Sequence, residues 1–357
     1  MTSGAAEHRV DELLRRCYAG LDEEALRKEV LRRLDQVVPI DAAFFATVDP
    51  ATVLFTSVVA DDPLREATGQ FLDNEFGRDD VNKFAALARA GDPVNSLDRA
   101  TRGDRRSSAR YTDIMAVLDL GDELRAALVS KGRCWGVMCL HRQDSPAGFT
   151  AKELALVRRI APHIGEGLRR ALVGRLAKHP VGTAGGPGVV VLNDDLSVSS
   201  MNAEAERWLA EFESGRAAAA ELPVVVAAAA RMALRAADSE ASPAWSTRLR
   251  TQRGRWITLY TSPMNGPDGP QTSLVLEPAR PVQVASLMLD AHGLTPAQTR
   301  VASLVLHGLS TQQIVNELRI SAHTVQEHLS VVFERFGIGS RRELVAVLLH
   351  EGRRSIE

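Results

Sequence analysis

Long apolar runs, a cysteine framework and a basic tail are all missing from this 357-residue sequence. No stretch approaches the roughly 18 uninterrupted apolar residues of a membrane span, and the N-terminus is rich in acids and arginines with no apolar core of a signal peptide. A cytoplasmic protein with no membrane partner is therefore expected. The three cysteines, Cys17, Cys134 and Cys139, cannot build a disulfide framework, and the step between the last two is not a zinc spacing. They read as buried thiols. Lys and Arg (43) nearly balance Asp and Glu (45), a net charge of −2, so no global field advertises nucleic acid. The glycine-rich run PVGTAGGPG has no Lys followed by Ser or Thr, which excludes a phosphate loop. No nucleophile, base and orienter stand at usable spacing, and His141 and His163 are isolated, reading as core or surface side chains. Hence no enzyme, no cofactor and no metal site are expected.

What is present divides into three segments. Apolar residues recur at helical spacing from Val10 to Leu34, and two β-rich runs follow, broken at Asp49-Pro50. The stretches around Gln70 and Ala85 look helical. DELRAALVSKGRCWGVMCLHR offers two strands joined at Lys131-Gly132. A turn-like DSPAG leads to a long amphipathic helix opened by the capping box Thr150-x-x-Glu153. Residues 1–176 thus form one α+β domain, and 177–188 read as a linker. Residues 189–281 form a second α+β unit: a hairpin turning at Asp194-Asp195, a helix, an alanine-rich helical stretch, then strands around Arg253-Gly254 and the turn NGPDGP. A short coupling helix begins the last segment, 282–357.

In that last segment the capping signals are dense. Thr295, Ser310, Ser321 and Ser340 each precede a helical pattern, three of them with Gln or Glu at the capping-box position, and glycines at 308 and 352 mark two ends. Four short helices are predicted after the coupling helix. In the third, Val325, Leu329, Val332, Phe333 and Phe336 form an apolar stripe, while His323, Gln326, Glu327, Ser330 and Glu334 share the opposite side. A helix that follows a tight turn with its far side polar has the geometry of a helix-turn-helix recognition element. An ordinary solvated face has the same pattern, and pattern alone leaves both readings open.

The stretch from LTP (294–296) to Leu349 resembles the DNA-binding domain of LuxR-type transcriptional regulators. The resemblance rests on LTP, Gly308-Leu309-Ser310, Ile314, Ile320-Ser321, His323-Thr324-Val325, His328-Leu329, Phe336-Gly337 and Ser340-Arg341. It implies an all-α four-helix domain that contacts double-stranded DNA through His323, Thr324, Gln326, Glu327 and Ser330, with Thr311, Gln312 and Arg341 on the phosphate backbone. It also implies a homodimer, for which Leu344, Val347 and Leu348 on the fourth helix offer apolar surface. The family commonly has Lys where Gln326 stands. Residues 290–357 hold seven Arg, no Lys and seven acids, so few phosphates are neutralised and Glu327 trades affinity for discrimination. The competing expectation is a protein-interaction regulator whose helix-turn-helix has lost DNA reading.

The paired strands running through a turn into the long helix, residues 122–172, resemble a GAF domain. GVVVLNDDLSVSSMNAEAERWLAEF and GRWITLYTSPM resemble a PAS domain. Both resemblances imply sensor modules that control the DNA-binding segment, with a small-molecule effector left open as a partner. The expected fold class is two α+β sensor-like domains followed by the helical domain.

Overall fold

A computed structural model of the chain describes residues 3–143, 148–176, 185–212, 222–237, 245–266 and 269–349. Two compact units result. The first comprises residues 1–171 and 185–277, the second residues 172–184 and 278–357.

The first unit opens with α1 (Ser3–Cys17) and α2 (Glu23–Leu34), followed by β1 (Ala42–Val48) and β2 (Phe55–Ala60). Next come α3 (Thr68–Leu72), which runs into a π-type turn at Asp73–Gly77, then α4 (Phe84–Arg89), β3 (Val94–Ser96) and α5 (Leu97–Thr101). The long hairpin β4 (Leu120–Ser130) and β5 (Arg133–Gln143) leads to α6 (Ala151–Leu176). The strands make one antiparallel sheet in the order β2-β1-β5-β4-β3. The hairpin turns where expected, because Lys131 (φ 53°) and Gly132 (φ 72°) both take the left-handed conformation of a tight two-residue turn. One face of the sheet lies under α6. A Cβ on Gly165 would come within 2.7 Å of the Leu128 carbonyl oxygen, so only glycine allows the helix this close.

The second sheet contains β6 (Gly188–Asn193), β7 (Val198–Met201), β8 (Trp245–Arg250), β9 (Trp256–Gly266) and β10 (Gly269–Pro278), with α7 (Ala203–Leu209) and α8 (Val224–Ala237) between β7 and β8. Its order, β7-β6-β10-β9-β8, repeats that of the first sheet strand for strand. Asn202 starts α7 as its N-cap, accepting from the Ala205 and Val189 amides at 2.9 and 3.0 Å.

The structure groups these sheets differently from the division at 177–188. One continuous apolar cluster joins Phe44, Phe55, Phe76 and Phe84 of the first segment to Val190, Leu249, Ile257 and Leu274 of the second, with Val226 to Ala230 of α8 between them. Buried charges cross the same junction: Arg248 makes a bidentate pair with Asp49 at 2.7 and 2.8 Å, and Arg250 pairs with Glu23. The glycine run is not all linker either. A Cβ on Gly188 would meet Ala205 Cα at 2.8 Å, and one on Gly185 would meet the Trp208 ring at 2.5 Å. Trp208 is sealed there, its indole N–H donating to the Gly186 carbonyl at 3.0 Å and its ring covered by Arg255. Residues 177–184, like 144–147, 213–221, 267–268 and the predicted helix end at Gly352, lie outside the described residues.

The second unit holds α9 (Pro281–Ala291), α10 (Pro296–Leu306), α11 (Thr311–Leu318), α12 (Ala322–Phe336) and α13 (Arg341–Leu349). The predicted coupling helix α9 is part of this bundle: Ala285 and Leu289 enter the same core as Val301, Ile314, Val325, Leu329, Val332 and Leu344. His292, just past α9, stacks on Phe336 with ring centroids 3.8 Å apart. Among the described residues no helix is long and apolar enough to cross a membrane.

Candidate nucleic-acid interface

Local hydrogen bonds set the helix ends of the bundle. Thr295 and Ser310 each complete a reciprocal capping box, with Gln298 and Gln313. Ser321 caps α12, its hydroxyl accepting from the Thr324 amide at 3.0 Å. Arg319, the C-cap of α11, adopts the left-handed conformation (φ 54°), so only residues 319–321 separate α11 from α12. This short connection fixes which side of α12 faces outward. Val325, Leu329 and Val332 are buried, whereas His323, Gln326, Glu327, Ser330 and Glu334 are exposed, as the stripe pattern requires.

The expected contact residues fall into two groups. His323, Gln326, Glu327 and Ser330 lie together on the open side of α12; Nε2 of His323 stands 3.5 Å from Glu327 Oε1. Thr324 is half-buried, and its hydroxyl pairs with that of Ser321 at 2.9 Å. Thr311 is half-buried in the first turn of α11, and exposed Gln312 donates to Asn316 Oδ1 at 3.3 Å. Arg341 makes no salt bridge among the described residues; it donates to the Leu309 carbonyl and ties α13 to the turn before α11.

The dimerisation expectation needs correction at two of its three positions. Leu344 and Leu348 are buried within the bundle's own core, because their four-residue spacing places both on the side of α13 that packs inward. Only Val347, 37% exposed, remains available to a partner.

A second cluster, in the first unit, escaped the sequence reading. Glu123 and Arg125 alternate with Leu124 and Ala126 along β4, which points the two charges to one face. Register sets His141 opposite Glu123 and Cys139 opposite Arg125. All are buried. Glu123 accepts from Arg110 Nε at 2.7 Å and from Arg125 Nε at 2.9 Å, and Arg125 Nη1 reaches Glu75 at 2.5 Å. The Arg125 guanidinium also lies 4.5 Å from the Phe84 ring centroid. Burial pushes the Glu123 carboxyl up, but Arg110 and Arg125 outweigh it and hold the group well below the usual carboxylate range. Burial drives His141 down to about 4 against the pull of Glu123, so the ring is neutral near pH 7. Burial, helped by the nearby Arg125 and Arg110 charges and opposed by Glu75 and Asp80, lowers Lys83, at the cluster's edge, to about 8. Arg125 Nη2 and His141 Nδ1 have no hydrogen-bond partner among the described residues.

Glu123, Cys139 and His141 bring one ligand atom each within 4.8 Å. The donor set does not suit a cation, however: both Glu123 oxygens serve guanidinium groups, and burial pushes the Cys139 thiol far above its ordinary value. A Glu and an Arg two residues apart in a largely apolar strand were the sequence signal for this cluster.

A helix-turn-helix bundle following an α+β unit with two sheets is the class that this geometry defines. Comparison with known families agrees. Residues 292–348 match the family model described as "Bacterial regulatory proteins, luxR family", and residues 22–168 match the GAF domain. The chain carries a LuxR-type helix-turn-helix domain at its C-terminus and a GAF domain at its N-terminus. HTH-type transcriptional regulators of Mycobacterium bovis and Mycobacterium tuberculosis are each 44% identical to it over 52 residues, 15% of this chain. The match spans only 6% of the length of those relatives. Among solved structures, the VqsR LBD domain of Pseudomonas aeruginosa aligns at 18% identity and TM-score 0.32, covering 48% of this chain and 98% of that one. The Vibrio cholera VqmA–ligand–DNA complex aligns at 17% identity and TM-score 0.24, covering 45% and 80%.

Proposed function

We propose that the protein is a cytoplasmic DNA-binding transcriptional regulator that acts as a homodimer, with the two-sheet unit controlling the helix-turn-helix. The observation that carries this reading is the open polar side of α12, held outward by the three-residue connection from α11. His323, Gln326, Glu327 and Ser330 face base edges in the major groove. Thr311, Gln312, Thr324 and the N–H groups of Arg341 not given to Leu309 contact the backbone. With zero net charge over residues 290–357, a single bundle gains little from counterion release, and pairing two copies offsets that weakness.

The second sheet acts as a PAS-like sensor beside the GAF domain, a reading supported by its repetition of the first sheet's strand order. A small-molecule effector acts by favouring one of two pre-existing arrangements through its differential affinity. The matched families are regulatory, which supports a non-enzymatic role. Gel shifts of the full-length protein on its own promoter region test the central point. Sequence-specific binding that depends on dimer formation is expected, and binding equal to that of random duplex at every salt concentration refutes it. In the second case the zero local charge favours a protein-interaction regulator instead. Native mass spectrometry then reads subunit count and any retained small molecule.

A further inference from the structure

The absence of any cation on the open side of α12 bears on which bases it reads. Resting on the recognition-helix reading above, we propose that the operator is read through exocyclic amino groups on neighbouring base pairs, adenine N6 by Gln326 and cytosine N4 by Glu327, with no bidentate Arg or Lys contact to guanine from α12.

The exposed positions through the first two turns of α12 are Ala322, His323, Gln326, Glu327 and Ser330; none is Lys or Arg. Guanine presents only acceptors, N7 and O6, to the major groove and is read by bidentate Arg or Lys. Neither stands in these turns: exposed Arg319 lies in the connection before the Ser321 cap, and Arg335, in the last turn, lies about 12 Å further along the helix axis than Glu327, at 1.5 Å per residue. A carboxylate accepts and cannot donate, so Glu327 is matched by an amino group and repelled by guanine O6, thymine O4 or a phosphate. Of the two bases that show an exocyclic amino group in the major groove, adenine also shows the N7 acceptor beside it, which a carboxylate opposes and an amide satisfies. Gln326 therefore takes adenine and Glu327 takes cytosine. Both side chains are available. Gln326 is exposed and makes no hydrogen bond among the described residues, and Glu327 is 62% exposed with His323 Nε2 at 3.5 Å. Being consecutive on the helix, they address adjacent pairs.

Selection from randomised duplex with the full-length protein and its Glu327→Gln variant decides the matter. The wild type should enrich a half-site with adjacent A and C, and the variant should convert the C column to A while other columns hold. Anisotropy titrations should show the variant about 5- to 150-fold weaker on the wild-type site. A cytosine analogue lacking the N4 amino group at that position should cost the wild type a similar factor and cost the variant less, since its amide oxygen is a weaker, uncharged acceptor. Circular dichroism checks that the exposed substitution leaves the helices intact. An unchanged C column in the variant, or a wild-type half-site built on guanine contacts, overturns the base assignment while DNA reading stands. No enrichment by the wild type overturns both.

Discussion

Asp49→Asn removes one negative charge from the junction between the two sheets while keeping the shape of the side chain. The amide oxygen can still accept from the Ala51 amide, as the carboxylate does at 2.9 Å, so the local turn is preserved. What changes is the bidentate pair with Arg248, whose side chains are 10% and 2% exposed for Arg and Asp. The guanidinium then faces an NH2 group in place of one oxygen, deep in an environment where water cannot compensate. Removing one partner of a buried pair typically costs about 3–5 kcal/mol. Because the amide retains one hydrogen bond, the lower end, about 3 kcal/mol, applies, or about 150-fold in the unfolding equilibrium. Urea unfolding followed by tryptophan fluorescence and circular dichroism measures it. The wild-type two-sheet unit should lose both sheets in one transition, since one apolar cluster spans them. A loss below about 1 kcal/mol in the variant, or wild-type sheets melting at separate midpoints, would refute the reasoning.

Three further outcomes are expected. His141 titrates near 4 when folded and near its ordinary 6.5 when unfolded, so the unfolded chain binds the extra proton. Stability should fall by about 3 kcal/mol as pH drops from about 6.5 to 4, and urea midpoints of His141→Gln should lose this dependence between about 6.5 and 5, above the range where the carboxylates titrate. Glu123, held low in the fold, adds a further loss below its unfolded value of 4.5. Ser321→Ala should destabilise the bundle by about 1 kcal/mol through loss of the α12 cap, read from thermal melts by circular dichroism. Arg341→Gln should lower the salt dependence of DNA binding by about 0.9 in log–log slope, measured by anisotropy; an unaltered slope places Arg341 away from phosphate.

The helical bundle was legible in the sequence because its signals are local. Caps at Thr295, Ser310 and Ser321 act on amides three residues away, and the stripe from Val325 to Phe336 repeats within a single helix. The hairpins at Lys131-Gly132 and Asp194-Asp195 were legible for the same reason. What escaped depends on contacts between residues far apart in the chain. Arg110 and Glu123 meet only once β4 lies beneath the loop carrying Arg110, and Asp49 lies nearly 200 residues before Arg248. The burial of Leu344 and Leu348 likewise required knowing that α9 joins the bundle, since α9 covers part of the side of α13 that looked free. The GAF match confirms the reading of the first segment, whereas strand order alone supports the PAS-like reading of the second.

The packing of Trp208 against Gly185, Gly188 and Arg255 has a practical corollary. All four tryptophans and all three tyrosines of the chain lie before residue 278, so the helix-turn-helix unit is dark at the wavelengths where indole and phenol emit. Any change in intrinsic emission when duplex is added therefore originates in the two-sheet unit, and the unlabelled protein carries its own optical gauge of whether occupancy of one unit is felt in the other.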